Sequence, residues 1–182
     1  IAISSRALFD LEEENQIFEK DGLDAYYKYQ LENEDKSLKK GTGYRLVENI
    51  LKINSFFSSD ERQVEVIILS KNNAATSLRI TNAINDLKLD IIRSAWTSGT
   101  NISNYLKAFK VDLFLSADDN DVLNAIENGV AAAKILHSNE NIHNISNEQV
   151  RIAFDGDAVL FSEESELVYK NNGLDAFIEH EK

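Results

Sequence analysis

The sequence predicts an α/β fold in which a parallel sheet carries helices on both faces. Short apolar runs alternate with helix-like segments along most of the 182 residues, and this alternation is typical of parallel sheets. Residues 64–69 are rich in β-branched side chains and almost unbroken in hydrophobicity, as expected of a strand buried on both faces. Ser70 ends that run and Ser116 ends a later one. Ligands of such sheets bind beyond the carboxyl ends of the strands.

Each element follows from a local pattern. An apolar strand opens the chain at residues 1–4, and residues 11–34 form an acidic helical segment that Gly22 interrupts. Gly41-Thr42-Gly43 begins a helix that runs to Ile53. The remaining predicted elements are, in order, strand 64–69, a helix with Leu78, Ile80, Ile84 and Leu87 facing inward, strand 90–93, turn 97–100, helix 101–109, strand 111–115, helix 119–129 ended by Gly129, strand 131–136, polar linker 137–148, strand 150–154 and two acidic helical segments up to residue 182.

Composition and charge restrict the class of protein. The net charge is −12, and a surface that acidic repels nucleic-acid backbones and anionic membranes. No apolar run approaches the ~20 residues of a membrane span, and no signal-like segment opens the sequence. The chain has no cysteine, so it can form neither disulfides nor thiolate metal sites. We therefore expect a cytoplasmic protein that binds neither nucleic acid nor membranes.

The sequence contains an internal repeat. When the chain is shifted by 151 residues, positions 1–25 align without gaps on positions 152–176, and nine positions are identical. The two copies end in the same four residues, Gly-Leu-Asp-Ala. We interpret this as duplication of a unit of about 150 residues. The predicted units are residues 1–147, a degenerate copy, and residues 148–182, the truncated start of a second copy.

The two copies differ in charge at one pair of aligned positions, which we call the slot. Asp155 and Asp157 of the second copy align with Ser4 and Arg6 of the first. A pair of carboxylates that merely ended a strand would be expected in both copies. Its presence in one copy indicates that one unit performs chemistry and that the other is structural or regulatory.

The Asp-Gly-Asp triplet has the chemistry of a phosphate-transfer site. Two carboxylates so close cannot both stay ionised without a cation or a shared proton, and Mg²⁺ prefers such hard oxygen ligands. One carboxylate can attack phosphorus, and the other can protonate the leaving alcohol and later deprotonate water. The alternative interpretation is a solvated turn with no catalytic role.

The residues around this triplet resemble those of haloacid-dehalogenase-type phosphatases and, within them, the cytosolic 5′-nucleotidase type I family. The segments that carry the resemblance are FDGDAVLFSEESE (154–166), ISSRALFDLEEENQIFEKDGLDAYYKYQLENE (3–34), YLKAFKVDLFLSADDNDV (105–122) and NGLDAFIEHEK (172–182). The resemblance implies a Rossmann-like sheet with a small helical cap-like insertion. It also implies Mg²⁺-dependent hydrolysis of nucleoside 5′-monophosphates through an aspartyl-phosphate.

The resemblance assigns roles to individual residues. Asp155 matches the nucleophile and a metal ligand, and Asp157 matches the acid/base and a second ligand through its backbone carbonyl. In the first unit, Ser70 and Lys107 are candidates for the phosphate-binding hydroxyl and the charge-stabilising lysine of such phosphatases. The expected acidic pair falls on Ser116-Ala117, with Asp118-Asp119 two residues late, which is typical of a degenerate copy.

Two other interpretations predict different behaviour. The chain could be a non-catalytic half of a two-unit protein that serves in assembly, including homo-oligomerisation, or in binding a nucleotide effector. It could also be a phosphoacceptor module, which would hold a stable phosphate on Asp155 without turnover. The internal repeat and the FDGDAVLF segment favour the phosphatase interpretation.

Overall fold

The structure is a computed structural model that describes residues 1–137, 149–150, 152–154 and 162–182. The chain divides into two compact units, residues 1–148 and 149–182, and each is described by itself. Asp155 and Asp157 lie outside the described residues. None of the helices within the described ranges has the length and apolar character needed to cross a bilayer.

A five-stranded parallel sheet forms the centre of the first unit, as predicted. Its strands are β1 (Ala2–Ile3), β4 (Ile67–Ser70), β5 (Arg93–Trp96), β6 (Leu113–Ser116) and β7 (Ala131–Lys134). The strand order is β5-β4-β1-β6-β7, so the two-residue strand β1 lies between β4 and β6. Its residues Ala2 and Ile3 are fully buried.

Helices cover both faces of this sheet. The helices of the first unit are α1 (Ser5–Leu8), α2 (Glu12–Glu32), α3 (Tyr44–Lys52), α4 (Leu78–Asp86), α5 (Ser103–Ala108) and α6 (Asp119–Glu127), with short 3-10 turns at Ile53–Phe56 and Ser59–Glu61. Alternate strand residues enter two separate cores, because side chains of a strand point to opposite faces. Ile3, Ile68 and Leu115 join one core, and Ala2, Leu69 and Phe114 join the other. The α/β fold with helices on both faces is confirmed.

A helical insertion follows β1. Strand β2 (Phe9–Asp10) pairs antiparallel with β3 (Lys39–Lys40). The two ends of the insertion therefore lie next to each other. Helix α2 lies between these two strands and is broken at Gly22, where φ is 84° and ψ is −174°. That conformation is essentially restricted to glycine, which explains why the predicted interruption falls there.

A buried polar network holds the insertion against the sheet. The guanidinium Nη1 of Arg79 on α4 lies 2.5 Å from a carboxylate oxygen of Glu14 on α2, and both side chains are buried. The same Nη1 lies 3.5 Å from the amide oxygen of Gln30. The Gln30 amide donates to the Tyr26 hydroxyl, which donates to Asn72 after β4. The network therefore connects both halves of α2 to the carboxyl end of β4.

The second unit repeats this helical geometry. Helices α7 (Glu164–Asn172) and α8 (Leu174–His180) are separated by Gly173, with φ 84° and ψ −178°. Tyr169 and Phe177 stack edge-to-face with centroids 6.0 Å apart. The aligned pair in the first unit, Phe18 and Tyr26, stacks in the same way at 6.0 Å. The aligned helical segments of the repeat thus have the same local structure.

Three strands begin two or three residues later than predicted, and one of them is β6, which was expected from residue 111 and begins at Leu113. The first was expected at residues 64–69, but the Asn54 side chain binds the backbone of Val64 through both its amide groups, at 3.0 and 2.8 Å. Strand pairing therefore begins at Ile67. The strand expected at 90–93 is displaced because Lys88 adopts φ 52° where α4 ends and the Ile91 N–H bonds to the Leu89 carbonyl in a turn.

Two further predictions are wrong. Leu78 was expected to face inward with Ile80 and Ile84, but it is 41% exposed, because two residues before Ile80 is the opposite side of a helix. A strand was expected at 150–154, but residues 152–154 form none, and Ile152 and Phe154 are exposed. Among the described residues of the second unit there is no neighbouring strand to pair their backbone groups.

Replacing Arg79 by Met is expected to reduce the free energy of unfolding by about 3–5 kcal/mol, because it leaves the buried Glu14 carboxylate without a partner. Urea titration measures this loss. The matched control is Arg62→Met, which removes a more exposed pair with Asp90 at 2.7 Å and should cost less than about 1 kcal/mol. Adding Glu14→Leu to Arg79→Met should restore stability. Equal losses in the two single variants would contradict a buried anchor.

Gly22→Ala is expected to lower the free energy of unfolding by about 1–3 kcal/mol, since alanine is strained in this backbone conformation. No atom lies within 4 Å of the added Cβ, so the cost comes from the backbone alone. Asp21→Ala, on the preceding exposed residue, is the control. If the two variants have the same urea midpoint, α2 does not contain this break.

Candidate functional site

Three adjacent strands of the first unit end in buried serines. Strand β4 ends at Ser70, β6 ends at Ser116, and β1 is followed by Ser4 and Ser5. The hydroxyls of Ser5 and Ser70 lie 3.0 Å apart, and that of Ser4 accepts a bond from the Ala7 N–H at the start of α1. In the segment that aligns with the Asp-Gly-Asp triplet, Ser4 and Ser5 are thus neutral and bonded within the protein, and Arg6 pairs with Glu12.

An ion pair crosses the end of β1. The ammonium of Lys71, which follows β4, lies 2.6 Å from a carboxylate oxygen of Asp121 on α6. Since β1 separates β4 from β6, this pair spans the position where β1 ends. The Asp121 side chain is 9% exposed and that of Lys71 is 43% exposed, so the carboxylate is the desolvated partner.

Burial determines the protonation behaviour of Asp121. Desolvation raises the pKa of its carboxyl group above the ordinary value, and the nearby Asp118 carboxylate adds to this effect. The hydrogen bond and charge of Lys71 act in the opposite direction. Asp118 itself accepts a bond from the Asp121 N–H at 2.9 Å and caps α6. Of the acidic residues after β6, Asp118 therefore caps the start of α6, and Asp121 pairs with Lys71.

A cavity of about 460 Å³ opens at the carboxyl edge of this sheet. The cavity is lined by segments that follow β1 and β6 and by the end of β7. Strands β4 and β5 lie on one side of β1, and the later strands β6 and β7 lie on its other side. The strand order therefore reverses between β1 and β6. The cavity lies at this topological switch point, where such sheets bind ligands. Its lining includes Arg6, Phe9, Leu11, Ala117, Lys134 and His137.

The structure describes two of the predicted site residues, Ser70 and Lys107. Ser70 lies at the carboxyl edge of the sheet, as its sequence position indicates. Lys107 is exposed on α5, and among the described residues its ammonium makes no hydrogen bond or ion pair. Asp155 and Asp157 lie outside the described residues. Within the ranges that the structure describes, no three acidic, histidine or cysteine side chains cluster as a metal site would require.

Sequence reasoning missed the charged residues that occupy this edge. Lys71 follows Ser70 directly and Lys134 ends β7, so their places at strand ends were a usable signal. Asp121 gave a weaker signal, because an acid in the first turn of a helix is explained by the helix dipole alone. Its burial against Lys71 depends on the strand order.

Comparison with known proteins identifies the family. The sequence model of the 5′-nucleotidase family matches residues 1–182. This chain belongs to the 5′-nucleotidase family. Cytosolic 5′-nucleotidase 1B from Homo sapiens is 35% identical over 185 residues, which cover all of this chain and 30% of the human protein. The chain therefore spans less than a third of the length of that curated relative. No solved structure matches it significantly.

Membership of the 5′-nucleotidase family confirms the resemblance recognised in the sequence. The match covers both units, including the degenerate slot after β1 and the Asp-Gly-Asp triplet. The matched sequence thus includes both aligned triplets, Ser4-Ser5-Arg6 and Asp155-Gly156-Asp157.

Replacing Asp121 by Asn tests the buried carboxylate. Between the ordinary pKa of 3.8 and the raised pKa of folded Asp121, the folded state binds more protons than the unfolded state, so stability falls as pH rises. Asn cannot ionise and lacks this fall. The difference in unfolding free energy, wild type minus Asp121→Asn, should decrease as pH rises through this window and then level off. Urea titrations at several pH values measure it, and a difference that rises with pH would contradict a desolvated Asp121.

Proposed function

We propose that this protein hydrolyses nucleoside 5′-monophosphates to nucleoside and phosphate, with Asp155 as the nucleophile. The observation that carries the proposal is the FDGDAVLF segment within a chain that matches the 5′-nucleotidase family over its whole length. The repeat supports it, because Asp155 aligns with Ser4, which follows a central strand at the edge where ligands of parallel sheets bind.

The two aspartates would share the chemistry. The Asp155 carboxylate attacks the phosphorus atom, and the bond from phosphorus to the 5′ oxygen of the nucleoside breaks. Asp157 donates a proton to that leaving oxygen. Asp157 then takes a proton from water, whose oxygen attacks the aspartyl-phosphate and releases free phosphate with Asp155 regenerated.

A divalent cation fits this donor set. The Asp155 carboxylate and the backbone carbonyl of Asp157 would supply hard oxygen ligands, which suit Mg²⁺. Asp155 and Asp157 would hold the ion. When bound, it would offset the repulsion between the attacking carboxylate and the phosphate.

The first unit is proposed to have no hydrolytic role. Its aligned slot holds Ser4 and Arg6, and the Lys71–Asp121 pair spans the strand end where a nucleophile would stand. This arrangement favours, for the first unit alone, the non-catalytic module considered from the sequence. Ser70 and Lys107 stay predictions as substrate-binding residues, as do a cytoplasmic location and homo-oligomer formation.

Phosphate release from AMP tests the proposal. We expect release that requires Mg²⁺ and stops in EDTA. Asp155→Asn should abolish turnover because it removes the nucleophile, and Asp157→Asn should reduce kcat by about 10²–10⁴-fold because it removes the acid/base. Asp175→Asn, an exposed aspartate of the same unit, should retain full activity. Turnover that persists in Asp155→Asn would contradict the proposal.

A further inference from the structure

We propose that the outer face of α2 binds a second molecule of this chain, so that two α2 helices pack antiparallel about a two-fold axis. Three large apolar side chains form this face, which we call the outer stripe: Leu23, Tyr27 and Leu31. They are 62%, 37% and 41% exposed. Their spacing of four residues places them along one side of the second half of α2. The proposal does not depend on the hydrolytic activity proposed above.

The inner side of this half of the helix is polar. Gln30 is 2% exposed, and its amide donates to the Tyr26 hydroxyl at 3.0 Å. That hydroxyl donates to the Asn72 side chain at 2.8 Å. A surface helix ordinarily turns its apolar side to the core and its polar side to water. In this half of α2 the arrangement is reversed, because hydrogen bonds fix the polar side inward and leave the outer stripe exposed.

An exposed row of this kind indicates a contact surface. Single exposed apolar side chains are common on protein surfaces, but a continuous apolar patch is typical of a site that another protein covers. Helix α8 of the second unit retains part of the row, with Leu174 59% and Ile178 46% exposed at the positions of Leu23 and Tyr27. The outward apolar residues are therefore a property of the repeated unit.

The charges beside the outer stripe favour a second molecule of this chain as the partner. Asp24 and Lys28 are exposed and lie one turn before Tyr27 and Leu31, on one flank of the stripe. Asp24 is unpaired among the described residues, and Lys28 contacts Glu32 at 3.8 Å in an exposed ion pair, which is weak. A two-fold axis at Tyr27 places Asp24 of each molecule beside Lys28 of the other. The flank is thus complementary to itself, as an isologous dimer requires.

The second unit lacks this complementarity. Asp175 and Glu179 stand at the positions of Asp24 and Lys28, so two α8 helices packed in the same way would oppose like charges, which is unfavourable. The chain as a whole has a net charge of −12, and two such molecules repel each other. Contact is therefore favoured where the surface is apolar and its flanking charges cancel. The outer stripe of α2 meets both conditions.

Analytical ultracentrifugation at increasing protein concentration tests the proposal. We expect the mass to rise from monomer to dimer with a Kd on the order of micromolar, since the contact is small, and to stop at two molecules because an isologous contact closes. Tyr27→Glu should weaken dimerisation at least about tenfold, because it brings two carboxylates together at the axis. Ile178→Glu, at the aligned exposed position of the second unit, is the matched control and should dimerise as wild type. Asp24→Lys should also weaken dimerisation, and adding Lys28→Asp should restore it because the pair is then reversed.

A crosslink reports the orientation of the two helices. The chain has no cysteine, so Tyr27→Cys introduces a single thiol, and we expect a short bismaleimide to join two such chains but not two chains of Ile178→Cys. The proposal is overturned if wild type stays monomeric at about 1 mM, well above that Kd, or if its mass grows beyond two molecules. It is equally overturned if Tyr27→Glu dimerises as tightly as Ile178→Glu, if Lys28→Asp does not restore dimerisation to Asp24→Lys, or if both cysteine variants crosslink equally.

Discussion

The carboxyl end of β1 is the position on which the site depends. This strand is two residues long and fully buried between β4 and β6, so whatever follows it lies between the ends of two neighbouring strands. Charges placed there are partly removed from water and must be balanced locally. In the first unit the balance comes from Lys71 and Asp121, which meet across the strand end at 2.6 Å.

The two copies of the repeat carry different charges at the aligned positions. The second copy has two aspartates, whose charge calls for a cation. The first has neutral serines bonded to each other, an internal ion pair and an arginine directed to the neighbouring cavity. The helical insertion is tied to the same edge, since its network runs from Glu14 through Arg79 and Gln30 to Tyr26 and Asn72. In the first unit this edge of the sheet is therefore neutralised by contacts within the protein.

Local sequence patterns predicted the structural features that depend on neighbouring residues. The alternation of strands and helices, the break at Gly22 and the helix end before Gly129, where φ is 74°, follow from periodicity and from backbone conformations that favour glycine. One strand boundary shifted because the Asn54 amide binds Val64, and another because the chain turns locally at Lys88. The pairs Glu14–Arg79 and Lys71–Asp121 join residues far apart in sequence. They could not be read from the sequence because strand order and helix placement create them.

The most direct measurement of the central claim is the location of the covalent phosphate. Rapid acid quench during AMP turnover, followed by borohydride reduction and peptide mass spectrometry, converts a phosphorylated aspartate into homoserine. The account predicts homoserine at position 155 and none in the first unit. Homoserine at an aspartate of the first unit, or an unmodified Asp155 during steady turnover, would contradict it.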